Sequence, residues 1–306
     1  MKKVTIGKGV HFYVFYPLLF LLFCSSQQIC GNEKNNYRYQ LSVCSIFRDE
    51  ARFLKEWIEF HRMVGVEHFY LYNHMSEDDY NQILQPYIEE GIVELFDWPT
   101  GPDVLVRNIQ AAVYTNCVNV CRNETKWLAV IDVDEFLYAV NQDDLVQELK
   151  TYQEFGGVCV NWQEFGTSGV KRIPDDRLLI EMLLMKADYD HWRNQEYKSV
   201  VRPDRVKSFE NAHFANYRLP YFHVNEQKER IKAFWLSPYV TVEKLRINHY
   251  WSRDEDFFYN TKIARRLKVG DGIDGILERN EMLNHEPDDV ILRFVPELTR
   301  RFFSSE

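Results

Sequence analysis

Between residues 41 and 131 the chain alternates short apolar runs with longer amphipathic stretches, and this alternation constrains the possible fold most. The apolar runs, which are typical of buried strands, are residues 41–47, 66–72, 92–96 and 127–131. The stretch 50–64 has apolar residues at helical spacing and is followed by Gly65, a common helix terminator. Strands separated by helices predict an α/β fold with a mostly parallel central sheet and helices on both faces.

The C-terminal half, from about residue 157, has a less regular pattern. Its apolar runs and helical periodicities predict strands at 157–162, 198–203 and 246–250, and helices at 177–186 and 257–268. We expect Asp49 to cap the first helix of the chain. The segment 270–275 matches G-x-G-x-x-G, but it follows a basic helix instead of a strand, so we interpret it as an acidic loop.

The N-terminus carries three lysines before an apolar stretch at residues 11–24. This pattern is typical of a secretory signal or a short signal anchor, because a membrane span needs roughly 20 apolar residues. We therefore expect residues 1–31 to be a signal peptide or short signal anchor and residues 32–38 to be a polar linker. Residues 39–306 are then one folded domain, and membrane anchoring through the N-terminus is left open.

Composition limits the classes of partner. The net charge of −9 argues against binding to nucleic acid, which needs a basic surface. The four cysteines beyond the leader, at positions 44, 117, 121 and 159, are interpreted as small buried apolar residues. One disulfide among them stays open, and no pair has the spacing of a zinc site.

The segment WLAVIDVDEF at 127–136 carries the strongest chemical signal. Asp132 and Asp134 are two residues apart at the end of an apolar run, so in a strand they would point to the same side. The carboxyl end of a parallel strand is where α/β sheets bind ligands. Two carboxylates there suit a hard divalent cation, which in turn suits phosphate oxygens.

This segment and its companions resemble glycosyltransferase family 92 (GT-A type, DUF23-like) or a closely related family 2-like glycosyltransferase. The similar motifs, in chain order, are RDE at 48–50, GVEHFYLYN at 65–73, WLAVIDVDEF at 127–136, FGTSG at 165–169, KSVVRP at 198–203 and NHYWS at 248–252. Each is short, but their order is kept over roughly residues 41–266. One departure is Ser252-Arg253, where the family has Lys-Ser.

The resemblance implies a GT-A-like fold and the transfer of a hexose, with galactose as the first expectation. The donor would be a nucleotide sugar, UDP-linked, and the acceptor a glycan or other hydroxyl. Mn²⁺ or Mg²⁺ would be held by Asp134, with Asp132 at the ribose or the metal and His249 as a further ligand. His213 is the second choice for that histidine.

The remaining site residues are also implied by the resemblance. The nucleotide sugar would contact Glu50, Asn73, Asp132, Lys198 and Lys262, with Arg202 as a further cation near the diphosphate. The loop 165–169 would face the acceptor, and four tryptophans are candidates for stacking on sugars: Trp162, Trp192, Trp235 and Trp251. We expect an inverting reaction, which needs a carboxylate base. The candidates, among which the sequence does not choose, are Glu164, Asp188, Asp190 and Asp204.

Two alternatives belong to other functional classes. A haloacid-dehalogenase-type phosphatase also places D-x-D after an apolar strand, but there the motif follows the first strand. The other alternative is a non-catalytic protein that binds sugars or nucleotides on the same fold.

A leader combined with a nucleotide-sugar donor favours the secretory pathway, in the Golgi lumen or membrane, for a eukaryotic protein. For a bacterial protein it favours membrane association or export.

Overall fold

The computed structural model describes residues 37–101, 106–232, 235–268 and 272–303. Its strands are β1 Tyr39–Phe47, β2 His68–Asn73, β3 Val93–Asp97, β4 Thr125–Val130, β5 Glu135–Ala139, β6 Gly157–Glu164, β7 Met185–Lys186, β8 Tyr197–Val201, β9 Val206–Phe209, β10 Ala215–Tyr217, β11 His223–Val224, β12 Leu245–His249 and β13 Glu286–Pro287. Its α-helices are α1 Ala51–Met63, α2 Tyr80–Glu89, α3 Val106–Cys121, α4 Leu145–Leu149, α5 Leu179–Met182, α6 Glu255–Phe257, α7 Ala264–Lys268, α8 Asp274–Met282 and α9 Val295–Phe303. A π-helix, Phe258–Ile263, joins α6 to α7.

The central sheet has the strand order β3-β2-β1-β4-β8-β6-β12-β5, with β11 paired to β6. The first four strands of this order are parallel, as alternating strands and helices require. Beyond β4, strand β8 is antiparallel to both β4 and β6, and β12 is parallel to β6 but antiparallel to β5. The predicted α/β class, with a mostly parallel sheet and a less regular C-terminal half, is confirmed.

The two faces of the sheet carry separate apolar layers. Side chains alternate along β1, so that Leu41 and Val43 face the layer containing α1, α2 and α9, while Cys44 faces the layer containing α3. Helices therefore cover both faces, as predicted. The four described cysteines are buried and unpaired, which confirms their interpretation as small apolar side chains.

Two local predictions are wrong for identifiable reasons. The helix predicted at 177–186 is limited to α5, because the chain after it pairs as β7 with β13. The α1 N-cap position belongs to Glu50, and its neighbour Asp49 has a positive φ of 53°. Asp78 instead accepts the hydrogen bond from the backbone N–H of Ala51, at 2.8 Å, so the end of α1 is capped from a distant loop.

The predictions for the N-terminal leader and most of the linker fall on residues 1–36, which lie outside the described residues. Strand β1, the first described element, begins at Tyr39. None of the helices in the described part of the chain has both the length and the apolar character that crossing a membrane requires. Part of the 270–275 segment also lies outside the described residues, and its last two residues begin α8.

Candidate active site

The candidate site lies at the carboxyl edge of the parallel strands, where the direction and register of neighbouring strands bring its residues together. Strand β8 runs antiparallel to β4, so Lys198, near the N-terminal end of β8, lies beside the end of β4, next to the D-x-D segment. Strands β6 and β12 run parallel to each other and place Glu164 and His249 in register at their ends. Residues far apart in the sequence therefore converge at one edge, where open α/β sheets bind ligands.

The D-x-D segment itself is a turn and does not continue strand β4. The strand ends at Val130, β5 begins at Glu135, and the N–H of Glu135 donates to the carbonyl oxygen of Asp132 at 3.0 Å. The prediction that the two aspartates share one face of a strand is therefore wrong. The two side chains have different partners, Lys198 and Tyr114 for Asp132 and His249 for Asp134.

Asp132 is held by a buried cation. Its Oδ2 accepts a hydrogen bond from Lys198 Nζ at 2.8 Å, and its Oδ1 accepts one from the Tyr114 hydroxyl at 3.1 Å. Lys198 Nζ also lies 3.6 Å from Glu135 Oε2. Burial alone would lower the pKa of Lys198, but the carboxylates of Asp132 and Glu135 hold it above its usual value. Lys198 is therefore a permanent cation at the base of the turn.

Asp134, Glu135 and His249 form the candidate metal centre. One ligand atom from each lies within 4.8 Å of the others, and His249 Nε2 is 3.6 Å from Asp134 Oδ1. Glu135 Oε1 is buried and has no hydrogen-bond partner among the described residues. A buried carboxylate oxygen without a partner is costly unless something binds it. The two carboxylates suit Mn²⁺ or Mg²⁺, and the imidazole favours Mn²⁺ of the two because Mg²⁺ prefers oxygen ligands.

This set differs from the predicted ligands in one member. Asp134 and His249 are brought together as the sequence predicted, whereas Asp132 is bound to Lys198 and Tyr114 and Glu135 joins the set instead. Burial raises the pKa of Glu135. Burial also acts to raise the pKa of Asp134, but the combined effect of His249, Arg253 and Lys262 outweighs it and holds that pKa below its usual value.

Glu164 contacts the candidate metal centre through the Nδ1 side of the His249 ring. It is fully buried, its Oε1 lies 3.6 Å from His249 Nδ1, and the same oxygen accepts a hydrogen bond from Arg279. His249 also packs against Trp162, with ring centroids 4.3 Å apart and ring planes tilted by 51°. A buried carboxylate paired with arginine is suited to orienting His249, not to taking a proton from an acceptor. Among the base candidates, Glu164 is therefore placed at the site, but in a supporting position.

The other base candidates lie in two different places. Asp204 lies beyond the C-terminal end of β8, at the opposite edge of the sheet, where it pairs with Arg202 at 3.3 Å. The predictions that Asp204 is a base and that Arg202 faces the diphosphate are therefore wrong, because β8 is antiparallel. Asp188 and Asp190 lie on an exposed turn near the start of the segment that leads to β8, and Asp188 pairs with His285.

Glu50 is brought to the site and is paired with an unforeseen residue. Its Oε2 accepts a hydrogen bond from Arg253 Nη2 at 2.9 Å, and burial raises its pKa to about 7 despite that cation. Arg253 is 1% exposed, adopts a positive φ of 60°, and stacks on Phe53 at 4.2 Å. A strained, buried cation beside a carboxylate is typical of a functional site.

Asn73 is placed in a structural role. Its Nδ2 donates to the Tyr80 hydroxyl and to Asp97 Oδ1, both at 2.9 Å, and its Oδ1 accepts from the N–H of Ser76. Both of its amide hydrogens are therefore used in shaping the loop after β2. This arrangement disagrees with the prediction that Asn73 contacts the nucleoside.

Lys262 belongs to a cluster of cations around Trp251. Its Nζ lies 4.1 Å from the Trp251 ring centroid, and the Arg279 guanidinium lies 3.8 Å from the same centroid. Burial lowers the pKa of Lys262 to about 8, although Asp134 acts in the opposite direction. This basic cluster is complementary to an anion such as a diphosphate.

His213 and the loop 165–169 flank the site. His213 Nδ1 bonds with the carbonyl oxygen of Tyr197 at 2.7 Å, and burial lowers the pKa of the ring to about 4. His213 is therefore neutral at pH 7, and it lies outside the Asp134–Glu135–His249 set. The loop is held by Asn284, whose Oδ1 accepts from the N–H of Ser168 at 2.7 Å.

Comparison with known proteins identifies the family. The model of glycosyltransferase family 92 matches residues 37–256, which is most of the described chain. This chain belongs to glycosyltransferase family 92. The predicted resemblance is thereby confirmed, and the matched region contains the D-x-D turn, Lys198 and His249.

Curated family 92 proteins are similar over much of this chain. A family 92 protein of Ricinus communis is 26% identical over 275 residues, which is 84% of this chain and 44% of that protein. A family 92 protein of Arabidopsis thaliana is 24% identical, covering 77% of this chain and 39% of that protein. The chain thus spans less than half the length of these relatives.

Likeness to solved structures is weak. The crystal structure of S. aureus TarS 1-349 in complex with UDP-GlcNAc has a TM-score of 0.40 and 10% identity, covering 87% of this chain and 73% of that chain. HddC from Yersinia pseudotuberculosis has a TM-score of 0.29 and 12% identity, covering 61% of this chain and 90% of that chain. Scores this low add nothing to the functional argument.

Two cations of the candidate site in this family 92 chain lie beyond the matched region. Lys262 and Arg279 both follow residue 256, and Arg279 was not foreseen from the sequence. It lies 115 positions from Glu164 and outside every motif, so no local pattern marks it.

Arg279 gives the first testable prediction. In Arg279→Met, the buried Glu164 carboxylate loses its cation, and we expect the free energy of unfolding to fall by about 3 kcal/mol. The double variant Arg279→Met with Glu164→Gln should recover part of this loss, because the uncompensated charge is gone. Urea unfolding measures the stability of both variants.

Arg177→Met, at an exposed arginine with a surface ion pair, is the matched control and should change stability by less than about 0.5 kcal/mol. Equal losses in the single and double variants would contradict the pairing.

Proposed function

We propose that this family 92 protein transfers a hexose, galactose as the first choice, from a UDP-linked sugar to a glycan or other hydroxyl. The observation that carries the proposal is the convergence of Asp134, Glu135 and His249 beside a basic cluster at the carboxyl edge of the sheet. The carboxylates can hold a metal ion on one side of a diphosphate, and the neighbouring cations can balance its charge on the other side.

The proposed chemistry divides the work among neighbouring groups. A divalent cation held by Asp134, Glu135 and His249 would act as a Lewis acid on the leaving diphosphate. Lys262 and Arg279, around Trp251, would bind its remaining negative charge. Glu50, fixed by Arg253, would face the nucleoside. Glu164 would keep His249 in orientation, and Lys198 would keep the D-x-D turn in place.

For an inverting reaction the acceptor hydroxyl must lose a proton to a base as the sugar–phosphate bond breaks. Of the four carboxylates considered, Glu164 is engaged with Arg279 and Asp204 lies at the far edge. Asp188 and Asp190 remain as candidates, on the exposed turn near His191. The reaction would take place in the secretory pathway, where a leader would deliver the protein.

A screen of UDP-sugars for donor turnover, with and without Mn²⁺, tests the proposal. We expect release of UDP from at least one UDP-hexose, fastest for UDP-galactose, and its loss when the cation is removed by chelation. Turnover without metal would overturn the proposed metal centre. Hydrolysis of a generic phosphate ester, with no UDP-sugar turnover, would favour a phosphatase instead.

A further inference from the structure

Among the described residues, most of the exposed tyrosine and tryptophan side chains lie in two neighbouring segments. Four of the described tryptophans and tyrosines lie in two short segments and have large exposed fractions: Trp192 49%, Trp235 49%, Tyr189 44% and Tyr239 41%. Among the described residues, the remaining tyrosine or tryptophan with comparable exposure is Tyr259. We call these four residues the aromatic platform. Grouped exposed rings cost free energy in water and typically mark a binding surface.

The two segments of the platform are joined to each other. The N–H of Ser237 donates to the carbonyl oxygen of Gln195 at 2.8 Å, and the hydroxyl of Tyr189 donates to the carbonyl oxygen of Val240 at 3.1 Å. A β-bridge between Glu196 and Leu236 continues the connection. The four rings are therefore carried by one surface and not by two independent loops.

A buried asparagine holds this surface from below. Asn161, in β6, donates through Nδ2 to the carbonyl oxygens of Asn194 and Gln195, both at 3.1 Å, and to Ser237 Oγ at 2.9 Å. Its Oδ1 accepts from the N–H of Thr241 at 3.2 Å. Because one side chain bonds to both segments, the platform is pre-organised, which reduces the entropy lost on binding.

The platform adjoins the candidate active site through Glu164. The N–H of Glu164 donates to Asn194 Oδ1 at 3.0 Å, and His191 Nδ1 lies 3.9 Å from Glu164 Oε2. Glu164 in turn contacts His249 of the candidate metal centre. A ligand on the platform would therefore extend from the position where transfer is proposed.

The chemistry of the platform matches a carbohydrate. A hexose ring has an apolar C–H face and a rim of hydroxyls, and tryptophan and tyrosine offer a flat apolar face with a polar edge. The Arg193 guanidinium lies 4.4 Å from the Trp192 ring centroid and so covers one face of that indole. Asp190, two positions before Trp192 in the sequence, is exposed and can accept hydrogen bonds from hydroxyls. Ligand sites typically combine aromatic faces with a small number of polar groups.

We propose that Tyr189, Trp192, Trp235 and Tyr239 form the acceptor subsite, which binds hexose units of a neutral glycan by stacking. This inference rests on the proposed function in one respect, that the glycan bound here is the transfer acceptor. The binding itself needs neither donor nor metal, so the two proposals fail separately.

The test is direct binding of the full chain to an array of neutral oligosaccharides, without donor. We expect wild type to bind at least one glycan, and Trp192→Ala with Trp235→Ala to weaken that binding at least tenfold. Trp192→Leu with Trp235→Leu should weaken it equally, because leucine keeps apolar area but has no ring face. UDP affinity and the unfolding midpoint check that each variant is folded.

Phe303→Ala, which removes an exposed aromatic ring outside the platform, is the matched control and should bind glycans as wild type does. The absence of binding to any glycan, or equal binding by the alanine variant, would overturn the proposal. Binding that is lost with alanine but kept with leucine would indicate an apolar protein partner and would also overturn it. A negative UDP-sugar screen combined with platform-dependent glycan binding would refute transfer and leave the subsite supported.

Discussion

Asp134→Ala is expected to abolish metal-dependent transfer while leaving the fold intact. Asp134 lies in a turn, is partly exposed, and has His249 as its close ionisable neighbour at 3.6 Å, so its removal disturbs little packing. Without it the proposed centre keeps only Glu135 and His249. Because a Lewis-acid metal stabilises a transition state by several kcal/mol, we expect transfer to fall by at least about a thousandfold.

The measurements are UDP-sugar turnover, Mn²⁺ affinity by titration, and the unfolding midpoint. Asp143→Ala, at a carboxylate that is 88% exposed, is the matched control and should retain activity. Wild-type turnover by folded Asp134→Ala would refute the assigned role. Loss of turnover with unchanged Mn²⁺ affinity would show that Asp134 acts on the substrate and not on a metal.

Lys198→Met is expected to cause the largest loss of stability of any single change discussed. Lys198 is 1% exposed and its ammonium lies between two carboxylates, 2.8 Å from Asp132 and 3.6 Å from Glu135. Removing the cation leaves the two negative charges adjacent and poorly hydrated. Breaking a buried ion pair typically costs about 3–5 kcal/mol, so we expect a fall of that size in the free energy of unfolding.

A double variant separates charge from packing. Lys198→Met combined with Asp132→Asn removes one charge of each sign and should recover at least about 1 kcal/mol of the loss. The matched control is Lys126→Met. Lys126 is a partly buried lysine of β4 that has no carboxylate partner among the described residues. Urea unfolding measures all three. No difference between Lys198→Met and its control would contradict the central position of Lys198.

The fold was predictable because its signals are local. Apolar runs and helical periodicity are read over five to fifteen neighbouring residues, and the four parallel strands were identified from them with errors of a few positions. The secondary-structure predictions failed where contacts with distant residues outweigh the local helical or strand preference. The helix predicted at 177–186 was shortened because residues 185–186 pair with a strand one hundred positions away.

The site was predictable in part. Asp134, His249, Glu50, Lys198 and Lys262 were identified from motifs, and the structure brings all five to one edge. The ligand set changed at one position because the D-x-D segment turns after Val130. That turn directs Asp132 to Lys198 and leaves Glu135 with a buried oxygen that lacks a partner.

The direction of one strand decided two further predictions. The pattern of KSVVRP at 198–203 predicts a strand but not whether it runs parallel or antiparallel to its neighbours. The alternation of side chains along a strand is the same in both cases. Since β8 is antiparallel, Lys198 lies at the active edge and Asp204 at the opposite edge. Arg279 and Arg253 could not be assigned roles in advance, because their partners are more than one hundred positions away.

The amino-acid sequence alone determined the α/β class, the family and the acidic segment at 132–135, because periodicity and ordered motifs are properties of neighbouring residues. Only the tertiary structure decided which carboxylates face a cation, which lysine neutralises them, and that four exposed rings lie beside the same edge. These outcomes depend on strand pairing and register between distant segments, which local patterns do not encode.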